Sequence, residues 1–182
     1  MKVRNVRFAT LGCLAFQTIL YFGVASAQAA SINIVALGAS QTAGSGRGKH
    51  SGGVSSDQAF PAQLENMLRA RGYDAHVTNA GVAGDTTYGM LSRLNSSVPD
   101  GTKLVLLQPG TNDEKHGSSA GANAPQIIQN LKARGIKVII VYPKRGVTSA
   151  DIDPDGQHLT AHGHTIVAAG LLSQVIGAIG RP

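Results

Sequence analysis

Ile32-Asn33-Ile34-Val35-Ala36-Leu37 is apolar at every position but one, rich in β-branched residues, and stops at Gly38, just before Ala39-Ser40 and a long Gly/Ser-rich segment. A strand covered on one face alternates apolar and polar residues, whereas a run apolar throughout belongs in a parallel sheet clad by helices on both faces. Sheets of that kind carry their chemistry in the crevice outside the carboxyl ends of the strands. Ser40 therefore stands where a nucleophile would stand, and the rest of the chain is read against that position.

The pattern recurs down the chain. Tyr73 to Asn79, Leu104 to Leu107 and Lys137 to Tyr142 read as three more strands. Helical spacing of Phe60, Leu64, Met67 and Leu68 predicts a helix over about 58–71, stopped by Gly72. Further helices are predicted from the turn at 80–87 through about Leu94, from Ala124 to Arg134, and from Leu159 onward. Four strands alternating with helices predict an α/β fold, a parallel sheet covered on both faces, in the order 2-1-3-4. Gln41 to Asp57 lacks apolar periodicity and is expected to be a flexible loop at the carboxyl edge.

Ahead of the first strand, Lys2, Arg4 and Arg7 precede a mostly apolar stretch from Phe8 to Val24, and Ala25-Ser26-Ala27 or Ala27-Gln28-Ala29 supplies a small-x-small cleavage pattern. Residues 1–29 are expected to be an export signal and 30–182 one domain. Cleavage would remove the only cysteine, Cys13, so neither a disulfide framework nor a thiol nucleophile is expected. It would also remove three of the 16 basic residues and none of the 10 acidic ones, leaving a mild net charge of +3. With so little charge and few aromatics, nucleic acid is not an expected partner. Nor is a stable membrane anchor expected after the leader is removed. The protein is expected in the periplasm or outside the cell.

The predicted strand ends bring Ser40, Gly84 and Asn112 to one edge, and the segment before the last helix adds Asp155 and His158. A serine hydroxyl needs a base to take its proton, the base needs an orienting partner, and the developing oxyanion needs donors already aimed at it. His158 is the candidate base and Asp155 its partner. The backbone N–H groups of Ser40 and Gly84 and the side-chain amide of Asn112 are the candidate oxyanion donors.

In this form the chain resembles the SGNH hydrolases, or GDSL-type esterases and lipases. Four blocks appear in order: Gly38-Ala39-Ser40, Asn79-Ala80-Gly81-Val82-Ala83-Gly84-Asp85, Gly110-Thr111-Asn112-Asp113 and Asp155-Gly156-Gln157-His158-Leu159. The resemblance spans about residues 32–180 and implies a flavodoxin-like, three-layer αβα fold and hydrolysis of carboxylic esters or thioesters without a cofactor. Two departures stand out. Ala39 occupies the place of the family's usual aspartate beside the nucleophile, and the interval from Asn112 to Asp155 holds a single helix and strand, which suggests a minimal four-strand version with an open wall.

Other patterns compete for the same residues. Gly44 to His50 approximates a phosphate loop, but Ala43 replaces its first glycine and His50 its final hydroxyl residue. Gly117-Ser118-Ser119-Ala120-Gly121 matches a nucleophile elbow yet lies well past its strand. Asp151 to Gly156 copies half of a calcium loop, and His158, His162 and His164 have tolerable zinc spacing. No metal is expected: Asp151 and Asp153 are read as solvated, and His162 and His164 as part of the last helix. The reading is an exported serine esterase acting on small or exposed acyl groups through an acyl-enzyme. A carbohydrate O-deacetylase of the same family and a catalytically silent binding module on the same fold are the alternatives.

Overall fold

The apolar run does form a strand, β1 (Ile32–Gly38), and it is buried from Ile34 onward. The computed structural model describes residues 31–47, 50–110 and 112–182, so the expected leader lies outside the described residues. After β1 the chain forms α1 (Ser40–Ala43), β2 (Ser45–Arg47), β3 (His50–Gly53), α2 (Phe60–Arg69) and β4 (Ala75–Gly81). It continues through α3 (Thr87–Ser92), α4 (Leu94–Ser97), β5 (Thr102–Leu107), α5 (Asn112–Lys115), α6 (Ala124–Ala133), β6 (Lys137–Ile140), a 3₁₀ turn (Ser149–Asp151) and α7 (Ala161–Ile179).

The main sheet is parallel, in the order β4-β1-β5-β6. Counting only its own four strands, this is the expected 2-1-3-4, with the small β2-β3 hairpin accounting for the shift in numbering. Side chains alternate across each strand. Ile34, Ala36, Leu104 and Leu106 enter one core with Phe60, Leu64 and Leu68 of α2 and Val167, Leu171 and Val175 of α7. Val35, Leu37, Val105 and Leu107 enter the other with Met90, Leu94, Ile127 and Leu131 from α3, α4 and α6. Two cores on one sheet explain why β1 and β5 are apolar at consecutive positions, and each fully buried aliphatic side chain contributes about 1.5–3 kcal/mol.

Register then decides where the loops emerge. Gly38 pairs with Gly81, Leu37 with Leu107, and Leu107 with Ile140, so all four strands end at one level. The segments after β1, β4, β5 and β6 leave from that common edge.

Several boundaries differ from expectation. Gln41 to Asp57 is not a featureless loop: it completes α1 and then folds back as an antiparallel hairpin, which small, polar residues form without any apolar periodicity. The helix expected to run to Leu94 is divided at Arg93 into α3 and α4. β6 ends at Ile140, two residues early, as the chain turns toward Pro143.

A single buried histidine links the helices of the first face. α2 has no local side-chain cap at Ala59, and the orphan Phe60 N–H instead donates to His164 Nδ1 of α7 at 3.2 Å. Burial pushes the His164 imidazole down to about 4, against the opposing pull of the Gly44 carbonyl. The folded chain thus holds a neutral ring where the unfolded chain takes up a proton below its ordinary value of 6.5. The unfolded state binds more protons between those values, so this contribution is complete above pH 6.5 and is lost as pH falls toward 4. The urea midpoint should decline across that window, and decline less in His164→Gln, whose amide oxygen accepts the same N–H but does not titrate.

Candidate active site

Ser40 opens α1 two residues beyond β1 and is 7% exposed. The turn that presents it is very tight: a Cβ added at Gly38 would lie 2.1 Å from Thr42 Oγ1 and 2.9 Å from Gln108 Oε1. Gln108 Oε1 accepts from the Ala39 N–H at 3.1 Å and from the Thr42 hydroxyl at 3.2 Å. On the other side Arg93 Nη2 donates to the Gly38 carbonyl at 3.1 Å, while Arg93 Nε and Nη2 both meet Asp85 Oδ2 at 2.8 Å. A glutamine and an arginine–aspartate pair therefore hold the two polar ends of the Gly38–Ala39 peptide. Sequence reasoning passed over Gln108 and Arg93 because neither lies in a position whose spacing alone announces a role.

The Asp155 and His158 side chains meet directly, with His158 Nδ1 2.5 Å from Asp155 Oδ2. They sit in a closed turn: Ile152 bridges Leu159, the Asp153 N–H donates to the His158 carbonyl, and Asp155 Oδ1 accepts the N–H groups of Gln157 and His158 at 2.8 and 2.9 Å. Burial raises the Asp155 pKa, but the His158 N–H, its imidazole and the Gln157 N–H outweigh it and hold the carboxyl well below the usual carboxylate range. An ionised carboxylate at Nδ1 places the ring proton there and leaves Nε2 as the free base.

Among the described residues that Nε2 atom is buried without a hydrogen-bond partner, a condition that costs about 1–3 kcal/mol for a buried polar atom. No hydrogen bond joins it to the Ser40 hydroxyl. The two segments are nevertheless tied together, because Gln41 Nε2 donates to the Gln157 carbonyl at 2.8 Å. The β2-β3 hairpin presses on the same turn from outside. A Cβ at Gly52 would fall 2.1 Å from Asp153 Oδ1 and 2.8 Å from the Asp155 carboxyl carbon.

Ser40, Gln41, Gln108, Asn112, Asp155 and Gln157 line one cavity of about 620 Å³ at the carboxyl edge, with His158 behind its wall at 1% exposure. One N–H of the Asn112 amide donates to the Asp85 carbonyl at 2.9 Å, which fixes the side chain and leaves its second N–H. Gly84 has φ +80° and lines the neighbouring depression with Val82, Thr86 and Tyr88 rather than this cavity. It remains chemically adjacent, since the next residue, Asp85, is the one that holds Asn112.

The other sequence candidates are engaged elsewhere. Asp151 is 3% exposed, not solvated. The Thr148 N–H, the His162 imidazole and the Thr148 hydroxyl hold its carboxyl down to about 2. His158 precedes α7 while His162 and His164 lie within it, facing Asp151 and Phe60 respectively. Among the described residues no three His, Cys, Asp or Glu side chains gather as a metal would require. Ser119 is exposed in the turn between α5 and α6, well past β5 in sequence and not on a strand-to-helix turn.

A family model for the GDSL-like lipase/acylhydrolase family matches residues 36–166, which includes every residue of this constellation. The chain belongs to that family. It is 30% identical over 134 residues to the esterase TesA of Pseudomonas aeruginosa and 29% identical over 127 residues to an arylesterase of Vibrio mimicus, matches covering 71% and 68% of this chain. It spans only 60% of the length of each of those relatives. The fold is also that of a crystal structure of TesA, with TM-score 0.63 at 21% identity over 80% of this chain and 99% of the other.

In this member of the GDSL-like family Ala39 stands where an aspartate is expected, and the Gly38–Ala39 peptide is held by Gln108 and Arg93. The hairpin is equally consequential. In Gly52→Ala the added methyl should drive the Asp155 carboxylate away from His158, and the far-downfield proton resonance of the Nδ1 hydrogen bond, present in wild type, should shift upfield or vanish.

Proposed function

We propose that the chain is an exported serine esterase that hydrolyses carboxylic esters or thioesters through an acyl-enzyme, with Ser40 as nucleophile, His158 as base and Asp155 as its orienting partner. The observation that carries this reading is the orphan His158 Nε2, buried and unpartnered, on a ring fixed by Asp155 in a turn bonded to the Ser40 helix. In free enzymes the bond between nucleophile and base is often long and tightens only when substrate is bound.

Ser40 Oγ bonds to the acyl carbon as its proton passes to Nε2. The carbonyl oxygen becomes an oxyanion received by the N–H groups of Ser40 and Gly84 and the free N–H of Asn112. Among the described residues the Ser40 N–H has no other acceptor, which suits it to that task. The C–O or C–S bond then breaks as Nε2 returns the proton to the leaving alcohol or thiol. Water repeats the sequence, giving its proton to Nε2, and the acid departs as Ser40 recovers its hydrogen. The chain's own groups supply each proton transfer.

Export rests on the leader pattern in residues 1–29. A second reading, O-deacetylation of carbohydrate, draws on the amide-rich wall formed by Gln41, Gln108 and Gln157, and acetylated sugars assayed beside p-nitrophenyl esters would separate the two. For the mechanism itself, Ser40→Ala and His158→Ala should each lower turnover on the order of a millionfold, and Asn112→Ala about a hundred- to a thousandfold. A fluorophosphonate should label wild type at Ser40 but not His158→Ala. Undiminished ester hydrolysis by Ser40→Ala would rule the mechanism out.

A further inference from the structure

The cavity that Ser40 lines also carries three cations. Lys115 ends α5, one turn beyond Asn112, and Lys144 and Arg145 lie in the turn that follows β6. All three are exposed, and none forms an ion pair among the described residues. Arg69, Arg93 and Arg134 by contrast meet carboxylates at 2.9, 2.8 and 3.2 Å, while Arg71 reaches only the Met67 carbonyl. The single carboxylate lining the cavity, Asp155, is already committed to His158 and to two backbone N–H groups.

Like charges gathered around a concavity repel one another and contribute nothing to folding, yet they focus a positive potential into the space between them. Arg145 adds a flat guanidinium suited to two-point contact with an oxyanion. At about 620 Å³ the cavity has room for an ester together with a second functional group. One cavity therefore holds Ser40 and Asn112, which follow β1 and β5, together with Lys144 and Arg145, which follow β6, and Lys115, one turn beyond Asn112.

We propose that the preferred substrates are esters bearing a second, anionic group (a carboxylate, phosphate or sulfate), which Lys144, Arg145 and Lys115 bind while Ser40 attacks the ester carbonyl. The proposal rests on the esterase reading above. The anion belongs either to the acyl part or to the alcohol part, and the two sources are separated by substrate design.

The test measures kcat/KM of the full chain on two matched series. In the first, p-nitrophenyl hemisuccinate carries the anion on the acyl side and its methyl-capped counterpart is neutral. In the second, 4-acetoxybenzoate carries the anion on the alcohol side and its methyl ester is neutral. In at least one series the anionic member should be favoured about tenfold at low salt, and the advantage should shrink toward one near 0.5 M salt. The Lys144→Ala/Arg145→Ala double variant should cut the anionic-to-neutral ratio about tenfold, whereas Lys144→Arg/Arg145→Lys should retain most of it. A ratio at or below one in both series, or one indifferent to salt and to the double variant, overturns the proposal while esterase activity stands. Absence of turnover on every ester, with no fluorophosphonate adduct on Ser40, overturns the esterase reading and this proposal with it.

Discussion

β1 has a strand on each edge and a core on each face, and its register with β4 and β5 is the constraint from which the site follows. Slipping any of these strands by one residue would turn every inward side chain to the opposite face, so the pairing is held by both cores at once. With Gly38, Gly81, Leu107 and Ile140 at one level, the residues that follow each strand are delivered to the same edge without further instruction. The backbone ladder even runs on past the strand ends, through Gln108 N–H to the Leu37 carbonyl and Val82 N–H to the Gly38 carbonyl. A loop held that firmly at its root brings Ser40 and Asn112 together at modest entropic cost.

The Asp155–His158 unit is built on a different principle. It hangs on no strand of the sheet and is held by its own closed turn, by the Gln41 amide, and by the hairpin packed against it at Gly52. The carboxylate accepts three N–H groups, so its charge is compensated where it stands and it can stabilise an imidazolium without leaving its place. The remaining unmet demand is the lone pair on Nε2. The carboxylate and the Nδ1 side of the ring are fixed while Nε2 has no partner among the described residues, the arrangement the proposed mechanism requires of its base.

How far all this was legible in the sequence depends on whether a residue's role is local or shared. The strands and most helices were legible because burial leaves a hydropathy signal, an unbroken apolar run at Ile34 to Leu37 and helical spacing at Phe60 to Leu68. Ser40, Asn112, Asp155 and His158 were legible as candidates because their blocks keep fixed spacing, and three of them line one cavity with His158 bonded to Asp155 behind it. The β2-β3 hairpin was not, since Ser45 to Gly53 folds through backbone bonding and close approach to Asp153 and Asp155, which leave no hydropathy signal. Nor were Gln108, Arg93 and Asp85 legible as a clamp: Arg93 reaches across 55 residues to the Gly38 carbonyl, and its partner Asp85 looked like one more turn residue. Asp151 misled for the same reason, a carboxylate among polar neighbours in sequence that tertiary packing buries against Thr148 and His162.

The short interval between Asn112 and Asp155 has a structural consequence that joins these points. Among the described residues the sheet stops at β6, an edge strand whose side chains are only partly covered, so no further strand flanks the cavity on that side. That wall is supplied instead by the turn from Tyr142 to Arg145, with Tyr142 63% exposed at the mouth. A wall made of a turn contributes little to the core and is therefore nearly free to vary in charge and shape, whereas the floor made by Ser40, Gln108 and Asn112 is tied into backbone bonds that tolerate no such change. On the proposed mechanism, this division would place bond-breaking on the rigid strand ends and leave substrate choice to a few exposed side chains.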